Sequence, residues 1–376
     1  MAITFTHQPN TLNFAGNPIL AKVRTTLAVQ GTEKSFLRIV CEVTFNDTSL
    51  PGRVPDFTTE LSCPVEDGGE ATFNFSDPSS TLLNRMMVLL DMNNEALSPQ
   101  YSVHMSAVFK EVWIEDSREV VGERLELTGI TIVPGRRTDI ERLLHPVFDL
   151  EGKASSVLWM SRKPDLGILY SGETLVVPML YTGVATVVNE AMVGGKRVGM
   201  ASKLLNGRAT TQSGIALSGG EDGELTVKSG HLSLPSGHFR ARSHGVHFLR
   251  FINGFGAVEN ISVRVKDKLS YEVSGETHSL VQEARADAVD RRYATKAQPV
   301  GVYELSSGYV PRQWAEWFVQ ELLTSPKVWI QLGGKWVPAL IEAEGDCVIY
   351  DRTKPEMPHV DFTLRLAADG VVGVAW

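Results

Sequence analysis

Alternation of apolar and polar residues with a period of two is the feature that most restricts how this chain can fold. In residues 37–45 every second side chain is apolar, as in a strand with one buried face, so Cys41 is predicted to point inward. The same alternation returns in residues 103–109 and 261–265. Because turn-forming residues separate many such short runs, the sequence predicts a mainly β fold of tandem β-sandwich-like domains.

The spacing of these runs divides the chain into units. An N-terminal β-sandwich domain is predicted over residues 1–135, and a second β domain over residues 146–275. Within the second domain, the Gly- and Ser-rich tract of residues 194–223 predicts a long exposed loop, because few of its side chains could support a core. The charged residues 276–300 predict a connector, either helix or coil.

The last unit, residues 301–376, is predicted to be a small α+β unit. A helix is expected from Pro311 to Thr324, since proline suits the first helical turn and the apolar residues are spaced to form one face. A β-hairpin is expected around the Gly333-Gly334 turn. Outside this unit, apolar residues at three- and four-residue spacings predict a short helix over residues 80–90.

Five of the seven tryptophans lie in this last unit. So much aromatic area must be buried within the unit or against a partner. The spacing of the residues in the predicted helix favours a core stripe or a subunit interface over an exposed sugar-stacking platform. The candidate assembly interface consists of Trp314, Trp317, Phe318, Trp329, Trp336 and Trp376.

Composition excludes several classes of function. A formal charge of −8, from 36 basic and 44 acidic side chains, leaves no basic excess for nucleic-acid binding. No apolar run reaches the roughly 18–20 residues that cross a bilayer, and the start of the chain lacks the features of a signal peptide. We therefore expect synthesis in a cytoplasm and no membrane insertion. Three cysteines without CxxC spacing predict neither a disulfide framework nor a zinc site.

The search for catalytic chemistry finds no candidate site, so the chain is predicted not to be an enzyme and to need no cofactor. Nucleophile elbows, zinc-protease motifs, Walker loops and dinucleotide fingerprints are absent from the sequence. The glycines and basic residues of 194–199 lack the strand-then-helix context of a phosphate site. The remaining candidates are the histidines His231, His238, His244 and His247 and the acid pairs Glu342 with Glu344 and Asp287 with Asp290. The spacing of the histidines favours polar residues on a solvated sheet face over a metal site. Pairs of acidic residues occur by chance in a chain with 44 acidic side chains.

Four motifs, in order along the chain, resemble a known family. Phe-x-Gly-Asn-Pro occurs at residues 14–18 and Asn-x-x-Gly at residues 253–256. Leu-Leu-x-Ser-Pro-x-Val follows at residues 322–328, and Trp-x-Pro at residues 336–338. Together these segments are similar to tail proteins of phages and prophages of Bacteroidetes-type bacteria.

The resemblance implies a structural component of the virion, placed at the distal tail or baseplate of a phage or a related injection particle. Its implied partners are further copies of itself, in a ring, and other tail proteins. Two alternatives stay open. One is a receptor- or carbohydrate-binding module that uses the tryptophans or the Gly/Ser-rich tract, and the other is a glycan-degrading enzyme on a β scaffold.

Overall fold

The structure, a computed structural model of the 376-residue chain, is mainly β. The described residues form three open sheets, one closed barrel and a few short helical segments. The predicted fold class, sandwich-like β domains with a small C-terminal unit of sheet and helix, is confirmed. The described residues are 3–28, 34–47, 57–66, 68–88, 102–139, 156–230, 232–242, 245–280, 291–343 and 357–366.

The first unit is a sandwich of two sheets. Its strands are β1 Thr4–His7, β2 Leu12–Phe14, β3 Leu20–Arg24, β4 Arg38–Asp47, β5 Phe57–Pro64, β6 Glu70–Asn74, β7 Val103–Glu115 and β8 Arg118–Val133. One sheet has the order β2-β8-β7-β4-β5, with β2 parallel to β8, and the other has the order β1-β3-β6. Both sheets bury one face, as their period-two patterns require.

A single apolar core fills this sandwich. Cys41, predicted to point inward, is fully buried there beside Phe45 and Phe109. The helix predicted over residues 80–90 is confirmed as α1, Ser76–Val88, which adds Leu82 and Leu83 to the same core. A short 3₁₀ turn, Thr26–Ala28, follows β3.

The second unit is built around one long hairpin. Its strands are β9 Ser156–Trp159, β10 Ile168–Tyr170, β11 Thr174–Val193, β12 Lys196–Ala216, β13 Gly223–Ser229, β14 Leu232–Ser233 and β15 Gly237–Arg240. β11 pairs with β12 from Thr174↔Ala216 to Val193↔Lys196. The other edge of β11 pairs with β9 near the base and with β13 near the tip.

The predicted long loop at residues 194–223 is therefore wrong for most of its length, because residues 196–216 form β12. The Asn189 side chain donates a hydrogen bond to Ser213 Oγ at 2.7 Å, although the register partner of Asn189 is Ala201, so the hairpin curls back on itself. Small residues permit this curl: a Cβ at Gly199 would lie 2.6 Å from Ile215 Cγ2. Glycine and serine here reflect close packing of strands, not an exposed loop.

The third unit is a closed barrel with the order β16-β17-β18-β21-β20-β19. Its strands are β16 Val246–Ile252, β17 Val258–Leu280, β18 Arg291–Ser306, β19 Val328–Leu332, β20 Lys335–Glu342 and β21 Asp361–Leu366. The helix predicted from Pro311 is confirmed as α2, Arg312–Trp317, which continues as a π-helical segment, Phe318–Leu322. The hairpin predicted at Gly333-Gly334 is also present.

This pairing corrects the predicted domain limits. β16 and most of β17 were assigned to the second domain, 146–275, but they pair with the C-terminal strands and complete the barrel. The connector predicted over residues 276–300 is strand at both ends, because β17 extends to Leu280 and β18 begins at Arg291. Apolar periodicity cannot assign a strand to a sheet, since the assignment depends on distant partners.

Beyond the barrel, β17 and β18 continue as a two-stranded extension, here called the ribbon. β16 pairs with β17 only as far as Arg264, and β21 pairs with β18 only from Val302 onward. Residues 271–280 and 291–301 pair with each other and with no third strand among those described. At about 3.3 Å per residue, ten paired residues extend about 33 Å.

Candidate functional site

The turn between β16 and β17, residues 253–256, lies where the three units meet. The Asn253 side chain fixes this turn, because its Oδ1 accepts hydrogen bonds from the N–H groups of Phe255 and Ala257, each at 3.0 Å. Its Nδ2 donates to the carbonyl oxygen of Met160 at 2.7 Å. One buried amide thus orders the turn and connects the third unit to the second.

A turn of the first unit stacks directly on this one. Gly135 and Gly256 have φ angles of 83° and 73°, in the region that favours glycine. A Cβ at Gly135 would overlap the backbone of Phe255, and a Cβ at Gly256 would lie 2.6 Å from Pro134 Cβ. The N–H of Arg136 donates to the carbonyl oxygen of Gly254 at 2.8 Å. Only glycine lets the two turns approach this closely.

A buried ion pair connects the same elements. Arg162 Nη1 lies 2.6 Å from Glu321 Oε1, and the two side chains are 16% and 4% exposed. Glu321 Oε2 accepts the N–H of Gly254 at 2.5 Å, while Arg162 Nη2 donates to the carbonyl oxygen of Arg136 at 2.9 Å. The guanidinium also lies 3.9 Å from the centroid of the Phe255 ring. All three units thus contribute to one network of charge-assisted hydrogen bonds.

A second polar cluster is buried between the second unit and the barrel. Lys163 Nζ donates to the carbonyl oxygen of Asn260 at 2.7 Å. The Asn260 side chain donates to Glu173 Oε1 at 2.5 Å and accepts the N–H of Val176 at 2.8 Å. Glu173 also accepts a hydrogen bond from the hydroxyl of Ser262 at 3.1 Å. The cluster therefore joins β11 and the segments beside it to β17.

Burial shifts the protonation of these groups. Burial raises the pKa of Glu173 to about 7, although hydrogen bonds from Tyr170 and Asn260 act in the opposite direction. Burial also raises the pKa of Glu259 to about 7, and the nearby charge of Lys163 opposes that rise. Burial lowers the pKa of the Lys163 ammonium group, against the attraction of the two carboxylates. Each effect follows from the cost of removing a charge from water.

Apolar side chains surround the polar groups, and we call the whole region the junction. One apolar cluster contains residues from all three units, and a second contains residues from the second unit and the barrel. Close packing of this kind holds the described parts of the units against one another. The two clusters are Leu12, Phe14, Val133, Met160, Leu180 and Ala257, and Val176, Ile252, Val258 and Trp329.

An open cleft of about 540 Å³ borders the junction between α1, the stacked turns and the π-helical segment. Its polar lining includes Asn84, Arg136, Thr138 and Gln320. Among its described lining residues there is no histidine, cysteine or lysine, and the carboxylate of Glu321 is already paired with Arg162. The described residues also contain no group of three His, Cys, Asp or Glu side chains placed to hold a metal ion.

The structure corrects the candidate assembly interface. Trp314, Trp317 and Phe318 are 9%, 3% and 2% exposed and belong to the barrel core. Trp317 makes edge-to-face ring contacts with Trp314, with Phe318 and with Phe251 of β16. Trp329 is 7% exposed and lies in the junction. These four side chains are buried within one chain, so they cannot form a subunit surface.

The other two candidate residues differ from these four. Trp336 is partly buried, and the guanidinium of Arg250 lies 4.0 Å from the centroid of its ring. Trp376 lies outside the described residues. Of the six proposed interface residues, therefore, none is a described exposed side chain.

The weaker candidates are dispersed. Gly194 and Gly195 form the tip of the β11/β12 hairpin and do not precede a helix. His238 lies on β15 and His247 on β16, while His231 and His244 are outside the described residues. Glu342 pairs with Arg365 at 3.0 Å on the barrel surface. Glu344, Asp287 and Asp290 are not among the described residues.

Sequence reasoning missed the polar residues of the junction. Lys163, Glu173 and Glu259 lie in unrelated segments and match no motif, so nothing in the sequence marks them as buried neighbours. One signal was available: Asn253 begins the Asn-x-x-Gly motif of the family resemblance, and Glu259 and Asn260 follow it closely in sequence. Polar residues concentrated in a motif with no catalytic pattern are consistent with structural hydrogen bonding.

Comparisons with known proteins identify no family. No family model matches the chain, and no curated protein does so either. Among solved structures, a chimeric titin Z1Z2 tandem is 11% identical, with 64% of this chain and 100% of that chain covered and a TM-score of 0.15. The titin Z1Z2 domains in complex with telethonin are 14% identical, with 65% and 98% covered and a TM-score of 0.17.

A third solved structure, the BSP domain of a biofilm-associated protein, is 9% identical, with 81% of this chain and 62% of that chain covered and a TM-score of 0.17. Likenesses this weak carry no argument about what the chain does. No described helix combines the length and the apolar composition needed to span a bilayer.

Proposed function

We propose that the chain is a structural, non-enzymatic component of a phage tail or a related injection particle. In this proposal it acts in the virion, at the distal tail or baseplate. It assembles with copies of itself into a ring and contacts other tail proteins. Contacts that close a ring are heterologous, so each copy must carry two different complementary surfaces.

The observation that carries the proposal is the convergence of the resemblance motifs at the junction. The Phe-x-Gly-Asn-Pro segment contributes Phe14 to its apolar cluster, and the Asn-x-x-Gly turn forms its centre. The Leu-Leu-x-Ser-Pro-x-Val segment follows directly after Glu321, and Ser325 Oγ accepts the N–H of Ile252 at 3.1 Å. The motif residues thus connect three β units, and a fixed arrangement of units suits a subunit of a particle that must keep its shape.

Two competing functions have less support. A carbohydrate-binding module would need exposed aromatic rings, but the tryptophans of the predicted helix are buried and the Gly/Ser-rich tract is mostly strand. A glycan-degrading enzyme would need two carboxyl groups facing one substrate site. The buried carboxyl groups of Glu173 and Glu259 are instead surrounded by protein.

Negative-stain electron microscopy of the purified protein over a range of concentrations tests the proposal. Closed rings with a central lumen are the expected result, and sedimentation velocity should show the matching mass. Particles that remain single at every concentration would contradict self-assembly into a ring. A blue shift of tryptophan fluorescence on addition of host polysaccharide would instead favour the carbohydrate-binding alternative.

A further inference from the structure

A lysine, an asparagine and a glutamate meet in the polar cluster between the second unit and the barrel. Lys163, Asn260 and Glu173 are 7%, 2% and 3% exposed. Lys163 precedes β10, Glu173 immediately precedes β11, and Asn260 lies on β17. Lys163 Nζ donates to the main-chain carbonyl oxygen of Asn260 at 2.7 Å, and Asn260 Nδ2 donates to Glu173 Oε1 at 2.5 Å. An amine, a carboxamide and a carboxyl group are thus held together away from water.

The surroundings of Lys163 favour its uncharged form. Its Nζ lies 5.4 Å from the centroid of the Trp317 ring, which shields it from water. Burial lowers the pKa of the ammonium group, although the charges of Glu259, Glu173 and Asp165 oppose this. An uncharged Lys163 with a protonated Glu173 holds the same number of protons as the ion pair and avoids the burial of two charges. The uncharged amine is the form that acts as a nucleophile.

The carboxamide of Asn260 is held by groups that suit an attack on its carbon. Its Oδ1 accepts the N–H of Val176 at 2.8 Å, so this backbone group is placed to stabilise negative charge on that oxygen. Its Nδ2, the leaving nitrogen, is the atom that contacts Glu173. Burial raises the pKa of Glu173 to about 7, so this carboxyl can both donate and accept a proton near neutral pH. The N–H of Tyr170 and the hydroxyl of Ser262 donate to its other oxygen and fix its orientation.

We propose that Lys163 and Asn260 become joined by an isopeptide bond, with Glu173 as the catalytic residue. The electron pair of Nζ attacks Cγ of Asn260 and forms the new C–N bond. Glu173 donates its proton to Nδ2 and takes up a proton from Nζ, the Cγ–Nδ2 bond breaks, and ammonia leaves. Because Glu173 ends as it began, the step needs no cofactor, oxidant or reductant. It occurs once in each chain and modifies only that chain.

A second asparagine of the cluster, Asn253, is less suited to this reaction. Its side chain orders the turn between β16 and β17 and bonds to the carbonyl oxygen of Met160. A further hydrogen bond links it to Glu259. Among the described residues, no hydrogen bond joins Lys163 Nζ to Asn253, whereas Nζ contacts the main chain of Asn260. The amine therefore has to move only from the carbonyl oxygen to the side-chain carbon of one residue, Asn260.

The bond would connect the second unit covalently to the barrel at the junction. Lys163 and Asn260 are separated by 97 positions of sequence, so their linkage closes a long loop and restricts the unfolded chain, as a disulfide does. Cys41 and Cys63, the cysteines that the structure describes, are both free. An amide bond, unlike a disulfide, is not broken by thiols. It would stabilise the chain whether or not the chain belongs to a phage tail.

Mass spectrometry of the full chain without substitutions tests the proposal. After denaturation, its intact mass should be lower than the mass of its sequence by one ammonia molecule. Digestion and tandem mass spectrometry should then give a branched peptide in which Lys163 is joined to Asn260. A succinimide formed at an asparagine also loses ammonia, but it gives no branched peptide. The unsubstituted chain thus decides whether the bond exists, whatever the folding of any variant.

Three substitutions separate the roles of the residues. Lys163→Met and Asn260→Ala each remove a reacting group, so each variant should have the full mass of its sequence. Glu173→Gln keeps both reacting groups but cannot exchange a proton, and it should also keep the full mass. The matched control is Glu111→Gln, because Glu111 is 4% exposed and bonds to Thr25 in the first unit, away from the cluster. The control should lose ammonia as the unsubstituted chain does, and circular dichroism shows which variants are folded.

Several results would overturn the proposal. Full mass for the unsubstituted chain would mean that no bond forms. A branched peptide that joins Lys163 to Asn253 would mean that a different amide reacts. A branched peptide formed with loss of water would mean that Lys163 reacts with a carboxyl group, that of Glu173 or Glu259. Loss of ammonia by folded Glu173→Gln, with the same branched peptide, would mean that Glu173 is not the catalytic residue.

Discussion

The junction and the β11/β12 hairpin distribute polar and apolar groups in opposite ways. At the junction, charged and amide side chains such as Arg162, Glu321 and Asn253 are inside the molecule, and they bond to partners on neighbouring units. On the hairpin, the large apolar side chains of Met200 and Leu204 face outward. In most proteins polar side chains are exposed and large apolar side chains are buried. Both regions depart from this distribution, each for its own physical reason, so burial alone does not indicate function.

The directionality of hydrogen bonds and ion pairs explains why polar groups are buried at the junction. Apolar surfaces would hold the units together but would permit several orientations, whereas hydrogen bonds and ion pairs are satisfied in only one. Exposed apolar groups on the hairpin do not contribute to that orientation.

The largest effect is expected for Gly135→Ala. A left-handed φ costs about 1–2 kcal/mol for alanine, and overlap with the backbone of Phe255 adds about 1–3 kcal/mol or more. The free energy of unfolding, measured by urea denaturation, should therefore fall by about 2–5 kcal/mol. The control is Gly172→Ala: its φ is 88° but no atom lies near its Cβ, so only the backbone cost should appear. Equal losses for both variants would refute close stacking of the turns.

Arg162→Ala should have the next largest effect. The substitution leaves the buried carboxylate of Glu321 with one backbone donor, and loss of a charged hydrogen-bond partner costs about 2–3 kcal/mol. The matched surface pair is Arg312 with Glu316, four residues apart on α2, where Arg312→Ala should cost only about 0.3–0.5 kcal/mol. Because the junction links three units, Arg162→Ala should also separate the unfolding curve into more than one transition. A single transition with an unchanged midpoint would contradict this role.

The pH dependence of stability should reveal the buried carboxyl groups. Their folded-state pKa of about 7 is above the unfolded value near 4.5, so between these values the folded state binds more protons. Stability should therefore fall as the pH rises from about 4.5 to 7, with a slope of up to about 1.4 kcal/mol per pH unit for each group. Exposed carboxylates whose pKa is lowered, such as Glu42, act in the opposite direction but at lower pH.

Glu173→Gln isolates this contribution. Removing one titrating group should make the fall in stability between about pH 5 and 7 shallower, even if the amide forms poorer hydrogen bonds and lowers stability at every pH. Urea denaturation at several pH values measures the slope. A slope that is unchanged in the variant would mean that Glu173 does not titrate in this range.

The smallest effect on stability is expected on the hairpin. Since Met200 and Leu204 are largely exposed, changing both to glutamate should alter the free energy of unfolding of the monomer by no more than about 0.5 kcal/mol per site. A loss of several kcal/mol would show that the side chains of Met200 and Leu204 support the fold of their own chain. In that case the apolar side chains of the hairpin, like the polar groups of the junction, would stabilise the fold of their own chain, and the two regions would not differ in this respect.

Local patterns determined the elements of this protein. Alternation with a period of two identified strands such as β4 and β7 and placed Cys41 in the core, where it is fully buried, but it did not identify β12. Helical spacing identified α1 and α2, and the double glycine identified the hairpin of β19 and β20. These features depend on residues close together in sequence, so the sequence contains the whole signal.

Tertiary structure decided which strands share a sheet and which residues form the junction. β16 closes the barrel by pairing with β19, far along the chain, and Lys163 reaches Asn260 across 97 positions of sequence. The same holds for Trp314 and Trp317: their spacing left a core stripe and a subunit interface both open, and packing against the barrel made them core. Such contacts depend on chain geometry over long separations, which no local pattern records.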